Sequence, residues 1–150
     1  MATFYGTDRY SIDDKGRLVV PAAMRRVPGR KAPLRDFVLV GGLDGCLWLY
    51  ADEDWTHVEE RLRTLSMGTS KQRSFARAFL VGASKVTVDA QGRISIPPSL
   101  LRRAGLGREA VLHGQVGRIE LWAPARFEQA VAAVQDQLDA LGEDVLGNLE

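Results

Sequence analysis

A twelve-residue pattern occurs twice in this chain, and that duplication limits the possible folds more than any other feature. Tyr10-Ser11-Ile12-Asp13-Asp14-Lys15-Gly16-Arg17-Leu18-Val19-Val20-Pro21 returns 76 residues later as Val86-Thr87-Val88-Asp89-Ala90-Gln91-Gly92-Arg93-Ile94-Ser95-Ile96-Pro97. Asp13, Gly16, Arg17, Pro21 and Arg26 match Asp89, Gly92, Arg93, Pro97 and Arg102 without a gap. Matching resumes at an offset of 72, where Leu39-Val40, Gly42, Gly45 and Leu49-Tyr50-Ala51 face Val111-Leu112, Gly114, Gly117 and Leu121-Trp122-Ala123, and Trp55 faces Phe127. The first copy is therefore expected to hold four extra residues around 27–36, where Pro28, Gly29 and Pro33 mark a surface loop. A long internal period makes the repeat, not the whole chain, the unit of structure. One copy of about 45 residues buries too little apolar surface to stand alone. Two copies interleaved as a pseudo-dimer within one chain solve that problem.

Each copy reads in the same way. An alternating strand (Arg9 to Asp13, or Lys85 to Asp89) meets a second (Arg17 to Val20, or Arg93 to Ile96) across three residues that end in glycine. Such a loop is a type I turn followed by a left-handed residue, which Gly16 and Gly92 supply. Pro21 and Pro97 end the second strand and suit the first position of a short helix, Ala22–Arg26 or Ser99–Ala104, with Gly105 stopping the latter. A further strand pair, Phe37–Val40 with Cys46–Tyr50, recurs as Ala110–His113 with Arg118–Trp122. A helix follows each pair: Trp55, Val58, Leu62 and Leu65 share one face of the first, and Phe127, Val131, Val134, Leu138 and Leu141 one face of the second. Both stripes suit core or subunit packing. Ser70–Leu80 predicts another helix, with Lys71, Arg73 and Arg77 beside Phe75 and Phe79. The expected organisation is one hairpin module over 7–53, a helical connector over 54–81, a second module over 82–125 and a C-terminal helix over 126–150.

The net charge of +1 conceals an alternation. Residues 1–35 hold eight Lys/Arg against three Asp/Glu, and residues 67–108 eight against one. Residues 36–66 hold two against seven, and residues 109–150 two against eight. The chain thus runs basic, acidic, basic, acidic. Either the basic blocks form an interaction surface or they pair with the acidic blocks inside the fold. Asp52-Glu53-Asp54 reads as the acidic first turn of a helix, favoured by the helix dipole.

Several function classes find no support. His57, His113 and Cys46 have no ligand-like spacing, and no Walker loop, nucleophile elbow or dinucleotide fingerprint is present. No enzyme, metal, cofactor or small-molecule substrate is expected. Cys46 sits in a strand-like run and reads as a small buried thiol. No apolar run reaches membrane-spanning length, and Met1–Gly6 lacks the basic start and apolar core of a signal peptide. A cytoplasmic location is expected.

Chemistry is concentrated in the repeated Asp-x-x-Gly-Arg tip. A rigid turn holding Arg17, with Lys15 close by, presents fixed positive charge; Arg93 does so in the second copy. Arginine offers a planar fork of donors that matches phosphate oxygens or the O6/N7 edge of guanine. A two-stranded ribbon fits the major groove of DNA. Asp13 and Asp89, four residues before the arginines, are placed to steer each guanidinium or, more simply, to clamp the turn shut. Gln91 stands where the first copy has Lys15, so the two tips differ in charge.

On these residues, together with Tyr5-Gly6 and Ile119-Glu120-Leu121-Trp122, the chain resembles the MraZ family, within the AbrB/SpoVT/MazE-like swapped-hairpin DNA-binding group. The resemblance covers residues 4 to about 140. It implies an α+β, mainly β fold of tandem swapped hairpins forming an intrachain pseudo-dimer with flanking amphipathic helices. It further implies a nucleoid-associated transcriptional regulator that represses its own division and cell-wall gene cluster, binding short G-rich direct repeats in double-stranded DNA as a ring of several subunits. The family's DNA-contacting arginine of the first motif carries over to Arg17, and that of the second motif to Arg93. Lys15, Asp13, Asp89, Gly16 and Gly92 complete the expected site. An antitoxin-like or scaffold module that binds protein instead of DNA is the alternative.

Overall fold

The alternating runs of both copies become strands, and the first strand of each copy takes its partner from the other. The computed structural model describes residues 1–147. The first copy supplies β1 (Thr7–Ser11), β2 (Arg17–Val19), α1 (Ala22–Arg25), β3 (Asp36–Gly41), β4 (Leu47–Ala51), α2 (Asp52–Ser66) and α3 (Ser70–Leu80). The second supplies β5 (Ser84–Thr87), β6 (Arg93–Ser95), α4 (Pro98–Ala104), β7 (Glu109–Gly114), β8 (Ile119–Trp122), α5 (Pro124–Gln135) and α6 (Leu138–Gly147). The fold is α+β and mainly antiparallel sheet.

The expected hairpin between Arg9–Asp13 and Arg17–Val20 is confined to its tip. Only the Ile12–Leu18 bridge continues it; beyond that, β1 pairs with β7, β5 with β3, and β2 with β6. Exchange of partners buries more than a local hairpin could. It brings Leu18, Val20, Ile94 and Ile96 into one core with Leu39, Leu49, Leu112 and Leu121. Pro21 and Pro97 each stand one position earlier than expected, as N-caps whose carbonyls accept from Met24 and Leu100.

A pseudo-two-fold axis relates the copies. The large sheet runs β1-β7-β8-β4-β3-β5, which reads the same when each strand is exchanged for its counterpart. Leu18 lies opposite Ile94 in the ribbon, and Trp48 opposite Glu120 at the centre of the sheet. Both pairs are repeat-equivalent residues meeting across the axis.

The offset of 72 fails in one strand. Leu39 is the counterpart of Leu112, not of Val111, because Leu39 pairs with Ser84 as Leu112 pairs with Asp8. Gly42–Cys46 joins β3 to β4, whereas the shorter Gln115–Arg118 joins β7 to β8. One of the four extra residues therefore lies in that turn rather than at 27–36. Its effect is to keep both leucines on the core side, since a one-residue slip would reverse every side chain.

One sheet face carries the shared core under the β2–β6 ribbon. On the other, α2 and α3 cover Val38 and Val40, while Phe127 of α5 covers Val111 and Trp122. Asp52, Glu53 and Asp54 form the first turn of α2, and α3 has the predicted limits. A capping box reverses the chain between them: Thr69 Oγ1 accepts from the Gln72 amide at 3.2 Å and Gln72 Oε1 from the Thr69 amide at 2.9 Å.

The expected C-terminal helix over 126–150 departs from the structure in two ways. It divides at 136–137 into α5 and α6, and its apolar stripe is exposed beyond Phe127. Residues 148–150 lie outside the described residues. No helix among the described residues is long and apolar enough to cross a membrane.

Candidate nucleic-acid interface

Both tips are built around an aspartate. Gly16 donates to the Asp13 carbonyl at 3.0 Å and has a φ of +75°, the type I turn and left-handed glycine expected. Asp13 Oδ1 accepts from the Lys15 amide at 3.0 Å and the Arg17 amide at 2.9 Å, and Oδ2 accepts from Arg17 Nε at 2.6 Å. The second tip repeats this: Asp89 Oδ1 accepts from Gln91 N and Arg93 N, both at 2.9 Å, and Oδ2 from Arg93 Nε at 3.0 Å. The amide bond from Arg17 is the chief influence holding the Asp13 carboxyl below its usual range, and it prevails over the opposing effect of burial. Arg93 does the same for Asp89. Each aspartate both clamps its turn and steers its arginine.

The glycines lock the tips to the opposite copy. The Gly16 carbonyl accepts from Ile96 N at 2.9 Å, and the Gly92 carbonyl from Val20 N at 2.8 Å. A β-carbon on Gly16 would press on the Ile96 carbonyl oxygen and Leu101, each at 3.1 Å.

Alternation decides what the ribbon shows. Leu18 and Ile94 point into the core, so Arg17, Val19, Arg93 and Ser95 point outward. Here the copies differ. Arg17 spends Nε on Asp13, and its terminal nitrogens make no hydrogen bond among the described residues. Arg93 is more enclosed, its side chain 23% exposed against 32% for Arg17. Its Nη2 donates to Gln91 Oε1 at 2.6 Å, and its Nη1 lies 3.7 Å from Asp13 Oδ2. Lys15 makes no side-chain hydrogen bond or ion pair among the described residues. The structure thus gathers all seven expected site residues into two neighbouring tips, with unequal arginines.

Some basic residues do pair with acidic ones: Arg30 with Glu53 at 2.6 Å, and Arg9 with Glu128 at 2.5 Å. These contacts lie away from the two tips. Sequence reasoning passed over Arg25, a buried guanidinium that donates to the carbonyls of Val20 and Leu34, both at 2.8 Å. Its counterpart at the 76-residue offset is Leu101, and that charged-for-apolar exchange at a core position was the available signal. Burial lowers the pKa of Arg25, and the nearby Arg35 and Arg26 add to the effect. His113 is held by Thr7 Oγ1 at 2.8 Å and Gln115 Oε1 at 2.7 Å, a structural setting.

A family model described as "MraZ protein, putative antitoxin-like" matches residues 3–78 and again 79–146, one match for each copy. The chain belongs to the MraZ family. Among curated MraZ relatives, the "Transcriptional regulator MraZ" of Moorella thermoacetica is 38% identical over 143 residues, covering 95% of this chain and 96% of the relative. The protein of the same name from Deinococcus radiodurans is 42% identical over 132 residues, covering 87% and 89%. That of Acetivibrio thermocellus is 40% identical over 125 residues, covering 83% and 84%. The paired matches to the MraZ model divide the chain within the last turn of α3, shortly before β5, where the duplicated pattern restarts.

Proposed function

We propose that this MraZ-family chain is a sequence-specific regulator of transcription that binds double-stranded DNA through its β2–β6 ribbon. The observation that carries the reading is the outward-facing Arg17, fixed at Nε by Asp13 while its terminal nitrogens stay available. A donor fork held in one orientation is what bidentate contact with guanine O6 and N7 requires, and Lys15 adds a phosphate-seeking charge on the same tip. Arg93, already engaged by Asp89, Gln91 and Asp13, acts mainly as a strut that orients the two tips and contacts DNA less directly. Gly16 and Gly92 supply the backbone shape.

In this reading residues 7–53 and 82–125 are the two halves of one reading head, 54–81 the connector and 126–150 a helical extension. The targets are short G-rich direct repeats upstream of a division and cell-wall gene cluster, which the protein represses from the nucleoid in the cytoplasm. Chains assemble into a ring, so several heads engage successive repeats. The relatives' shared name and the two tips support this reading over a module that binds only protein. Fluorescence anisotropy tests it, with duplexes selected from the organism's own genome carrying one, two or three repeats. Affinity should rise with repeat number and fall when half-turn inserts place the repeats on opposite faces of the duplex. Equal binding to shuffled and repeat-bearing duplexes would sink it.

A further inference from the structure

Alternation leaves one apolar side chain on the outward face of the ribbon. Leu18, Val20 and Ile94 are 0% exposed and Ile96 is 3% exposed, all within the shared core. Val19 is only half-buried and belongs to none of the three hydrophobic clusters. With Arg17, Arg93 and Ser95 it makes up the surface on which the two arginines stand. The core does not call for a valine there, because its counterpart 76 residues later is the exposed Ser95.

The register of the ribbon sets what stands beside what. Val20 N donates to the Gly92 carbonyl at 2.8 Å and Ile96 N to the Gly16 carbonyl at 2.9 Å, which fixes the hydrogen-bonded positions of the ladder. Positions alternate along an antiparallel pair, so Arg17–Ser95 and Val19–Arg93 are the non-hydrogen-bonded pairs, whose side chains stand closer together. The outward surface therefore has two rungs, one an arginine beside a hydroxyl and the other an arginine beside an isopropyl group. Arg17 and Val19 are two residues apart on β2, a span of about 6.6 Å. Two base steps in DNA cover nearly the same length, at about 3.4 Å each. Among the groups that base pairs show in the major groove, the C5-methyl of thymine is the apolar one, and an aliphatic side chain is its natural complement.

We propose that Val19 reads a thymine methyl within about two base pairs of the guanine taken by Arg17. The inference rests on the proposed DNA-reading role and adds an apolar determinant to the guanine contact. Arg93, held by Asp89 and Gln91, stands opposite Val19 and fixes the second rung. The isopropyl group thus reaches the groove at a set position relative to Arg17. Both readers lie on β2, while Ser95 leaves β6 without an apolar one. The site consequently has a direction, because guanine and thymine are met in a fixed order along the groove.

Replacing thymine by uracil removes the C5-methyl and nothing else, so matched duplexes test the contact. Single-repeat duplexes, taken from sites that wild type selects, are titrated by fluorescence anisotropy with each thymine replaced in turn. One replacement near the guanines should weaken wild-type binding about fourfold, the worth of a buried methyl group. Replacements farther away should have no effect. Val19→Ser, which installs the residue of the second copy, should bind thymine and uracil duplexes alike, with unchanged circular dichroism. Selected sites that lack a thymine near the guanines overturn the proposal. So does wild type that binds every uracil duplex as tightly as its parent, a comparison that needs no variant to fold. A folded Val19→Ser protein that still loses fourfold with uracil overturns it too. Guanine reading is scored separately, since exchanging guanine for adenine should weaken wild type and Val19→Ser alike. If wild type distinguishes guanine but not thymine from uracil, only the Val19 contact fails. If it binds shuffled duplexes equally well, the proposed function fails with it.

Discussion

Arg93 Nη1 lies 3.7 Å from Asp13 Oδ2, so the arginine of the second tip reaches the aspartate that positions the arginine of the first. Asp13 therefore serves both tips, while Asp89 has no reciprocal ion pair with Arg17 among the described residues. This one-sided arrangement separates the expected roles of two residues that the repeat presents as equals.

Arg17→Ala should leave the fold and assembly intact, costing less stability than Arg93→Ala, while weakening specific DNA binding by about 1–3 kcal/mol per contact. Arg93→Ala should do more to the fold, lowering the melting temperature by about 2–4 °C for each kcal/mol of clamp lost. Paired melting curves and anisotropy titrations separate the two. If folded Arg17→Ala binds as tightly as wild type, the reading head is elsewhere.

Binding should be steeply dependent on salt. In the proposed assembly Arg17 and Lys15 would recur on every subunit, and each phosphate neutralised releases condensed counterions, giving a slope of roughly −0.9 per contact in a plot of log K against log salt. Lys15→Gln should reduce that slope while leaving the preferred sequence intact. A flat plot would mean that phosphates play no part.

The tips should be acid-sensitive only at low pH. Asp13 and Asp89 are held below the ordinary value of 3.8 in the folded state. Their ionised forms therefore stabilise the native protein above that value, and the contribution is lost as pH falls through the lowered folded values. Carboxyl carbon titrations by NMR should place both midpoints below 3.8. Asp13→Asn should lower stability at neutral pH and flatten the acid limb of the stability profile, leaving its slope between pH 6 and 8 unaltered.

Cys46 should be inert in the native state. Burial, reinforced by the Glu120 charge, pushes its thiol up to about 12, and Sγ donates to the Leu43 carbonyl at 3.3 Å. A thiol reagent at pH 8 should label it only after denaturant is added. Labelling of the folded protein at the rate of a free thiol would show that the site opens readily.

The elements and the seven tip residues were legible because periodicity, turn glycines and proline positions are local signals. Partner choice was not. Thr7–Ser11 carries no apolar alternation that names a partner, and it stays largely exposed beside β7. The offset at Leu39 was misread because Val111 and Leu112 are both apolar, so the match looked sound until the turn length fixed which one faces the core. The stripe on α5 and α6 was recognised as apolar, but its exposure was not legible, because a covered stripe and an uncovered one have the same sequence signature.

The meeting of Leu18 with Ile94 on the pseudo-axis has a consequence for how such a protein can change. In a dimer of identical half-length chains, any substitution appears at both related positions, and folding depends on finding a partner at the prevailing concentration. Fusion removes both constraints. Folding of the reading head is unimolecular, and Lys15 against Gln91, or Arg25 against Leu101, can diverge one at a time. One tip can thus become a specialised DNA reader while its twin becomes scaffolding, a division of labour closed to a symmetric ancestor.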